Sequence, residues 1–260
     1  MSSTAAPLRV GAVVLDIEGT TGSAAHVHDV LFPYARERFA QWFADHRDSR
    51  LHTELVSQIG DATGEPGLDE ARAVKVLTEW TDADLKAAPL KVVQSRIWAA
   101  GYADGTLEGH VYDDVPAALT RWARAGIARY IYSSGAEGAQ RNWFAHSGHG
   151  DLTGLLDGYF DLASAGGKRE PESYRAITRA IGVPPAETVF LSDVVAELDA
   201  ATAAGWHTVG VVRDSAPHVP HVPHTGGHPW ISSLDQVSLE GPDTRRPGHS
   251  ANNDCEVGQA

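Results

Sequence analysis

Val10-Gly-Ala-Val-Val-Leu15, running directly into Asp16-Ile-Glu-Gly-Thr-Thr21, decides the fold. A short valine-rich apolar run suits a strand buried on both faces, and the acid beside a Gly turn marks where it ends. Three similar runs follow far downstream: Arg129-Tyr-Ile-Tyr-Ser133, Thr188-Val-Phe-Leu-Ser192 and Thr208-Val-Gly-Val-Val212. Helical patterns separate them. Val115, Leu119, Trp122 and Ala123 share one helical face, with Pro116 near the start and Gly126 past the end. Tyr174, Ile177 and Ile181 repeat this before Gly182, and Val195, Leu198 and Thr202 before Gly205. Strands alternating with capped helices predict an α/β fold with a doubly wound parallel sheet.

The alternation is interrupted after the first strand. From Val27 to Gly109 the pattern is helical: Ala35, Phe39, Trp42 and Phe43 form one stripe, Ala73, Val76, Leu77 and Trp80 a second, and Leu90, Val93, Ile97 and Trp98 a third. The expected organisation is a discontinuous α/β core over 8–25 and 110–240, a helical cap inserted over 26–109, and a disordered polar tail over 241–260. Ile231 to Val237 reads equally as a last strand or a short turn.

Composition narrows the function. The chain has 260 residues, 42% hydrophobic, and 21 basic against 34 acidic side chains give a formal net charge of −13. So acidic a chain is poorly suited to holding nucleic acid phosphates over a broad surface. No apolar run approaches membrane-spanning length and the N-terminus lacks a signal-peptide pattern, so a cytoplasmic protein is expected. The single cysteine, Cys255, excludes an intramolecular disulfide and any cysteine-rich metal cluster.

In an open parallel sheet, ligands bind at the carboxyl ends of the strands, and chemistry-bearing residues stand there in order. Asp16 and Glu18 follow the first strand. One carboxylate can attack phosphorus to form an acyl phosphate, and a second can protonate the leaving oxygen and activate water. Their like charges call for a cation, and magnesium favours oxygen ligands. The plainer reading is an acidic helix cap. Ser133-Ser134-Gly135 can hold a phosphate by hydroxyl and N–H groups, or be an ordinary strand-to-helix turn. Lys168, in Ala165-Gly-Gly-Lys-Arg-Glu-Pro171, can neutralise phosphate and nucleophile, or be a solvated loop lysine. Asp193 is the candidate second magnesium ligand. Glu197 and Asp199 either support the metal shell or are acids favoured by a helix dipole.

Longer runs carry a resemblance. Leu15-Asp-Ile-Glu-Gly-Thr-Thr21, Asp29-Val-Leu-Phe-Pro-Tyr-Ala35, Tyr130-Ile-Tyr-Ser-Ser-Gly135, Asp161 through Lys168 to Tyr174, and Phe190-Leu-Ser-Asp193 resemble the enolase-phosphatases of methionine salvage, in the haloacid dehalogenase superfamily. The resemblance spans about residues 9 to 237. It implies a haloacid dehalogenase-like core with an inserted cap, and a magnesium-dependent phosphoric monoester hydrolase. The substrate would be 5-(methylthio)-2,3-dioxopentyl phosphate, enolised and then dephosphorylated to acireductone. It further implies Asp16 as nucleophile, magnesium on the Asp16 carboxylate, the Glu18 backbone carbonyl and Asp193, phosphate on Ser133 and Ser134, Lys168 as its counter-charge, and a monomer. Glu18 stands where most superfamily phosphatases carry aspartate. Its extra methylene suggests a shared acid/base that also reaches a substrate carbon, with magnesium or Lys168 stabilising the enolate.

Gln94, Trp98 and Tyr102 lie at i, i+4 and i+8 of one helix face and are expected to meet the thioether arm. Trp98 also belongs to the apolar stripe, so packing competes for it. Two rival readings stand beside this one: another small-molecule phosphomonoesterase on the same scaffold, and a non-enzymatic metal binder using His218, His221, His224 and His228.

Overall fold

Ala12–Leu15 is buried throughout, as a strand with structure on both faces must be. In the computed structural model, which describes residues 7–213 and 227–242, the strands are β1 (Leu8–Arg9), β2 (Ala12–Leu15), β3 (Ala128–Tyr132), β4 (Gly158–Phe160), β5 (Thr188–Ser192), β6 (His207–Val211), β7 (Trp230–Ile231) and β8 (Leu239–Glu240). Six of them form a parallel sheet in the order β4-β3-β2-β5-β6-β7. The chain builds outward from β2 in one direction and then in the other, so the strand order reverses around β2.

Alternation along each strand divides the core. Val13, Leu15, Ile131, Val189 and Leu191 feed the cluster on one face. Val14, Tyr132 and Phe190 feed the cluster on the other, with Tyr174, Ile177 and Leu198. The helices over these faces are numbered with the rest of the chain: α1 (Ala24–His26), α2 (Phe32–Arg36), α3 (Phe39–Asp45), α4 (Arg50–Thr63), α5 (Glu70–Asp82), α6 (Ala88–Ala103), α7 (Asp114–Arg124), α8 (Glu137–Ala145), α9 (Pro171–Ile181) and α10 (Val195–Ala203). Gly182 ends α9 in the left-handed conformation that favours glycine.

Helices α1 to α6 occupy the interval between β2 and α7. Their stripes meet in a separate cluster of Phe39, Phe43, Leu55, Ile59, Leu77, Leu90 and Val93. Val27–Leu31 is a π turn in which the Phe32 N–H reaches the Val27 carbonyl. Pro33, which has no N–H to give, follows at once.

Two sequence expectations need correction, and one open choice is resolved. The first strand starts at Ala12 rather than Val10, because the Val10 N–H goes to the Glu240 carbonyl at 2.9 Å and Gly11 bends the chain. Thr202 is exposed. The buried side of α10 is Glu197, Leu198, Ala200 and Ala201, because small residues let the helix sit close to the sheet and a buried lysine compensates Glu197. The segment 231–237 is both things at once: β7 pairs with β6, then Leu234–Gln236 forms a 3-10 turn. The tail beyond Pro242, including Cys255, lies outside the described residues.

Candidate active site

Leu15 lies opposite Ile131 on one neighbouring strand and Leu191 on the other. Asp16, Ser133 and Asp193 therefore leave the sheet within one residue of the same height. The Ile17 N–H donates to Asp16 Oδ1 at 2.7 Å, and the Thr21 hydroxyl to the Asp16 carbonyl at 2.8 Å. These bonds fix the carboxylate at the strand end. The loop closes on itself, with the N–H groups of Thr20, Thr21 and Gly22 all directed at the Ile17 carbonyl. Gly19 adopts φ +72, and a Cβ there would overlap the Asp193 carboxylate. Only glycine satisfies both conditions.

Lys168 arrives from the loop after β4. Its Nζ lies 2.6 Å from Asp16 Oδ1 and 2.7 Å from Glu197 Oε2, with all three side chains buried. The Tyr174 hydroxyl donates to the Lys168 carbonyl at 2.7 Å and the Tyr132 hydroxyl to the Gly166 carbonyl at 2.8 Å, so two tyrosines hold this loop by its backbone. The Ser192 hydroxyl lies 3.0 Å from Glu197 Oε2 and 3.4 Å from Asp16 Oδ2.

Burial works to discharge Lys168, but the Asp16 and Glu197 charges outweigh it and its pKa is raised. Glu197 is pushed up to about 7, by burial first and the Asp16 charge next, against the opposing pull of Lys168. The two shifts differ in kind because one ammonium faces two carboxylates, while each carboxylate shares that ammonium and faces the other.

Asp193 is pushed up to about 8, first by burial and then by the Asp16 and Glu197 charges. Its Oδ1 is buried without a hydrogen-bond partner. Hard oxygens under mutual repulsion, with one buried and unpaired, fit a divalent cation. Among the described residues no three His, Cys, Asp or Glu side chains converge as a metal nest, so a cation here would need a backbone oxygen beside the two aspartates.

Ser133 is buried, and its hydroxyl accepts from the Gly135 N–H at 3.2 Å, which shapes the turn into α8. Gln140 braces that turn from behind, donating to the Gly135 and Phe160 carbonyls at 2.7 and 2.9 Å. Ser134 is half-buried in the same turn, and its carbonyl accepts from Lys91 Nζ of α6 at 2.9 Å.

Above these loops is a cavity whose lining includes Glu18, Ser133, Ser134, Gln94, Trp98 and Tyr102. Glu18 thus parts from Asp16: the turn sends it to the cavity rather than to the same face. Burial raises its pKa, with Lys86 opposing. Trp98 donates its indole N–H to the Leu31 carbonyl at 2.8 Å and stacks near Phe32, so it serves packing and lines the cavity as well. Gln94 Nε2 and the Tyr102 hydroxyl are buried without partners. The sequence reading missed Lys86, Lys91 and Trp143, which also line the cavity; the signal for Lys91 was its i, i+3 spacing to Gln94.

Asp199 is exposed and turned away from this cluster. Its Oδ1 lies 3.1 Å from His228 Nε2, and His228 Nδ1 lies 2.8 Å from the Thr208 hydroxyl. His218, His221 and His224 lie outside the described residues. Arg213, also missed, is buried with Asp114 at 2.7 Å and donates to the Thr20 carbonyl at 2.8 Å, bracing the loop that carries Glu18.

Residues 10–205 match the haloacid dehalogenase-like hydrolase family. The chain is 49% identical over 227 residues to the enolase-phosphatase E1 of Frankia alni, covering 87% of this chain and 94% of that protein. It is 47% identical over 230 residues to the enolase-phosphatase E1 of Streptomyces avermitilis, covering 88% and 95%. Its fold is similar to the crystal structure of the UTR4 protein from Saccharomyces cerevisiae, with a TM-score of 0.70 and 30% identity over 86% of this chain and 98% of that one.

Proposed function

The chain belongs to the haloacid dehalogenase-like hydrolases and, within them, to the enolase-phosphatases; from that premise we propose that it converts 5-(methylthio)-2,3-dioxopentyl phosphate to acireductone and phosphate in methionine salvage. What carries the reading is the meeting of two unlike surfaces in one cleft. Below is a charge cluster of the buried Asp16 and Lys168 and the half-buried Asp193; above is a largely apolar cavity that holds Glu18.

Asp16 is the nucleophile. Its carboxylate attacks phosphorus, forms an aspartyl phosphate and expels the substrate oxygen. Lys168 offsets charge on the nucleophile and the transferring group, and Ser133 and Ser134 hold the phosphate. Asp16, the Glu18 carbonyl and Asp193 would hold magnesium, which when bound supplies charge neutralisation for nucleophile and phosphate. Glu18 is a shared acid/base. Its carboxylate takes a proton from C1 of the diketone, returns it to the leaving oxygen during phosphoryl transfer, and then activates the water that hydrolyses the aspartyl phosphate. Burial holds its pKa above the ordinary glutamate value, which favours keeping the abstracted proton until the leaving oxygen takes it.

Residues 26–109 act as a cap that excludes water and selects the substrate arm. Gln94, Trp98 and Tyr102 meet the methylthio end, where aromatic surface suits a polarisable sulfur. The enzyme works as a cytoplasmic monomer on this small phosphorylated diketone, without nucleic acid or membrane partners. No helix among the described residues is long and apolar enough to cross a membrane.

The test is turnover of the dioxopentyl phosphate with and without magnesium, with acireductone and phosphate followed together. Equal, magnesium-dependent release of both is expected. Phosphate release from simple phosphomonoesters but none from the diketone would place the chain with another phosphatase activity.

A further inference from the structure

Lys91 occupies a position that the phosphatase chemistry does not use. It lies on the α6 face that carries Gln94 at i+3 and Trp98 at i+7, and all three line the cavity. Its ammonium crosses the cleft to donate to the Ser134 carbonyl at 2.9 Å. Among the described residues it has no carboxylate partner; the ion pairs of Lys168 and Lys86 are made with Asp16, Glu197 and Asp84. Lys86, the other cavity lysine, is paired with Asp84 at 2.7 Å and nearly half exposed. Lys91 is the cavity cation with donors to spare.

In the proposed substrate only one carbon separates the phosphate ester oxygen from the C2 carbonyl. A group touching the turn that holds the phosphate therefore also stands beside the C2 oxygen. We propose that Lys91 is a catalytic residue of the enolisation step, its ammonium binding the C2 oxygen and neutralising the enolate as it forms. This inference rests on the function proposed above. When Glu18 takes the C1 proton, the C–H electron pair becomes the C1=C2 bond and the C2=O π pair moves onto oxygen. That oxygen takes a proton from Lys91, which recovers one from solvent. The proton on Glu18 goes to the leaving oxygen in the later phosphoryl transfer.

The location argues for this assignment over Lys168, whose ammonium is already committed to Asp16 and Glu197 on the floor of the site. Burial, with Lys86 next in importance, also holds the Lys91 pKa below the ordinary lysine value, which eases proton donation to an enolate.

The experiment compares wild type with Lys91→Gln on two substrates: the dioxopentyl phosphate, read as acireductone formed, and p-nitrophenyl phosphate, which needs no enolisation. Gln retains an amide donor for the Ser134 carbonyl but carries no charge. The expected loss on the diketone is at least ~10²-fold in kcat, the scale of removing one oxyanion donor, and it exceeds the loss on p-nitrophenyl phosphate by ~30-fold or more. Lys91→Arg, which keeps the charge, should recover part of the diketone activity only. If both substrates lose the same factor, Lys91 merely latches the Ser134 turn and the proposal is overturned; an unaffected diketone rate overturns it as well. Wild type that makes no acireductone overturns the functional reading and this inference together, whereas active wild type beside an unaffected Lys91→Gln overturns this inference alone.

Discussion

The floor and the roof of the cleft are built on opposite principles. The floor gathers Asp16, Lys168, Glu197 and Ser192 within hydrogen-bond distance in a buried setting. The roof is made largely of apolar side chains such as Val27, Leu31, Leu90 and Trp98, with the Gln94 amide, the Tyr102 hydroxyl and the Lys91 ammonium among its few polar points. A charge cluster of this kind responds to a phosphate and its counter-ions, which any phosphate ester presents. Apolar area with one or two fixed polar atoms responds to the shape and polarity of the rest of the molecule. On the proposed function, phosphoryl transfer is set below and choice of substrate above, with Glu18 and Lys91 at the boundary between them.

The strongest way to break this division is at the proposed nucleophile. Asp16→Asn should lower turnover of the diketone and of p-nitrophenyl phosphate alike, by at least ~10³-fold, because both depend on the same attack. Rapid phosphate release by that variant, or failure to trap phosphate on Asp16 in wild type, would remove the floor from the account. At the boundary, Glu18→Asp shortens the proposed acid/base by one methylene. It should cost the diketone reaction about 10²-fold and p-nitrophenyl phosphate less; parent rates for both enolisation and phosphate release would show that the extra reach is irrelevant. In the roof, Gln94→Ala or Tyr102→Ala should raise KM for the diketone by about 10-fold and alter the simple ester little. An unchanged KM would take these two residues out of substrate recognition.

The smallest effect is thermal. The folded pKa of Asp193 is about 8, well above the ordinary carboxylate value near 4, so the folded state binds the extra proton. The stability this contributes is fully present below the unfolded pKa and is lost as pH rises through the folded value. In magnesium-free buffer, Tm should fall by a few degrees between about pH 5 and about pH 8, and saturating magnesium should flatten the slope. A Tm independent of pH without magnesium would contradict the burial of uncompensated carboxylates on the floor.

Most of the floor was legible in the sequence because each contributor follows an apolar run directly. Asp16, Ser133 and Asp193 stand where β2, β3 and β5 end, and valine-rich strands announce themselves locally. Glu197 was not resolved, since an acid in a first helical turn has the same appearance whether it faces solvent or a lysine 29 positions upstream. Arg213 and Asp114 were silent for the same reason: their pairing spans 99 residues and follows no periodicity. Strands β1 and β8 have two residues each, too few to show a period of two. In the roof, helical spacing placed Gln94, Trp98 and Tyr102 on one stripe but could not tell which would be spent on packing. The Trp98 bond to Leu31 decides that, and it arises only from tertiary contact.

Gly19 has no reactive atom, yet its left-handed backbone and its lack of a side chain are what let the first loop lie against Asp193. In a saturation scan, position 19 should be as intolerant as the nucleophile itself. A survey of variant fitness would then flag a hydrogen atom as part of the catalytic apparatus, and rightly so, because steric vacancy there is as much a requirement as charge is three residues earlier.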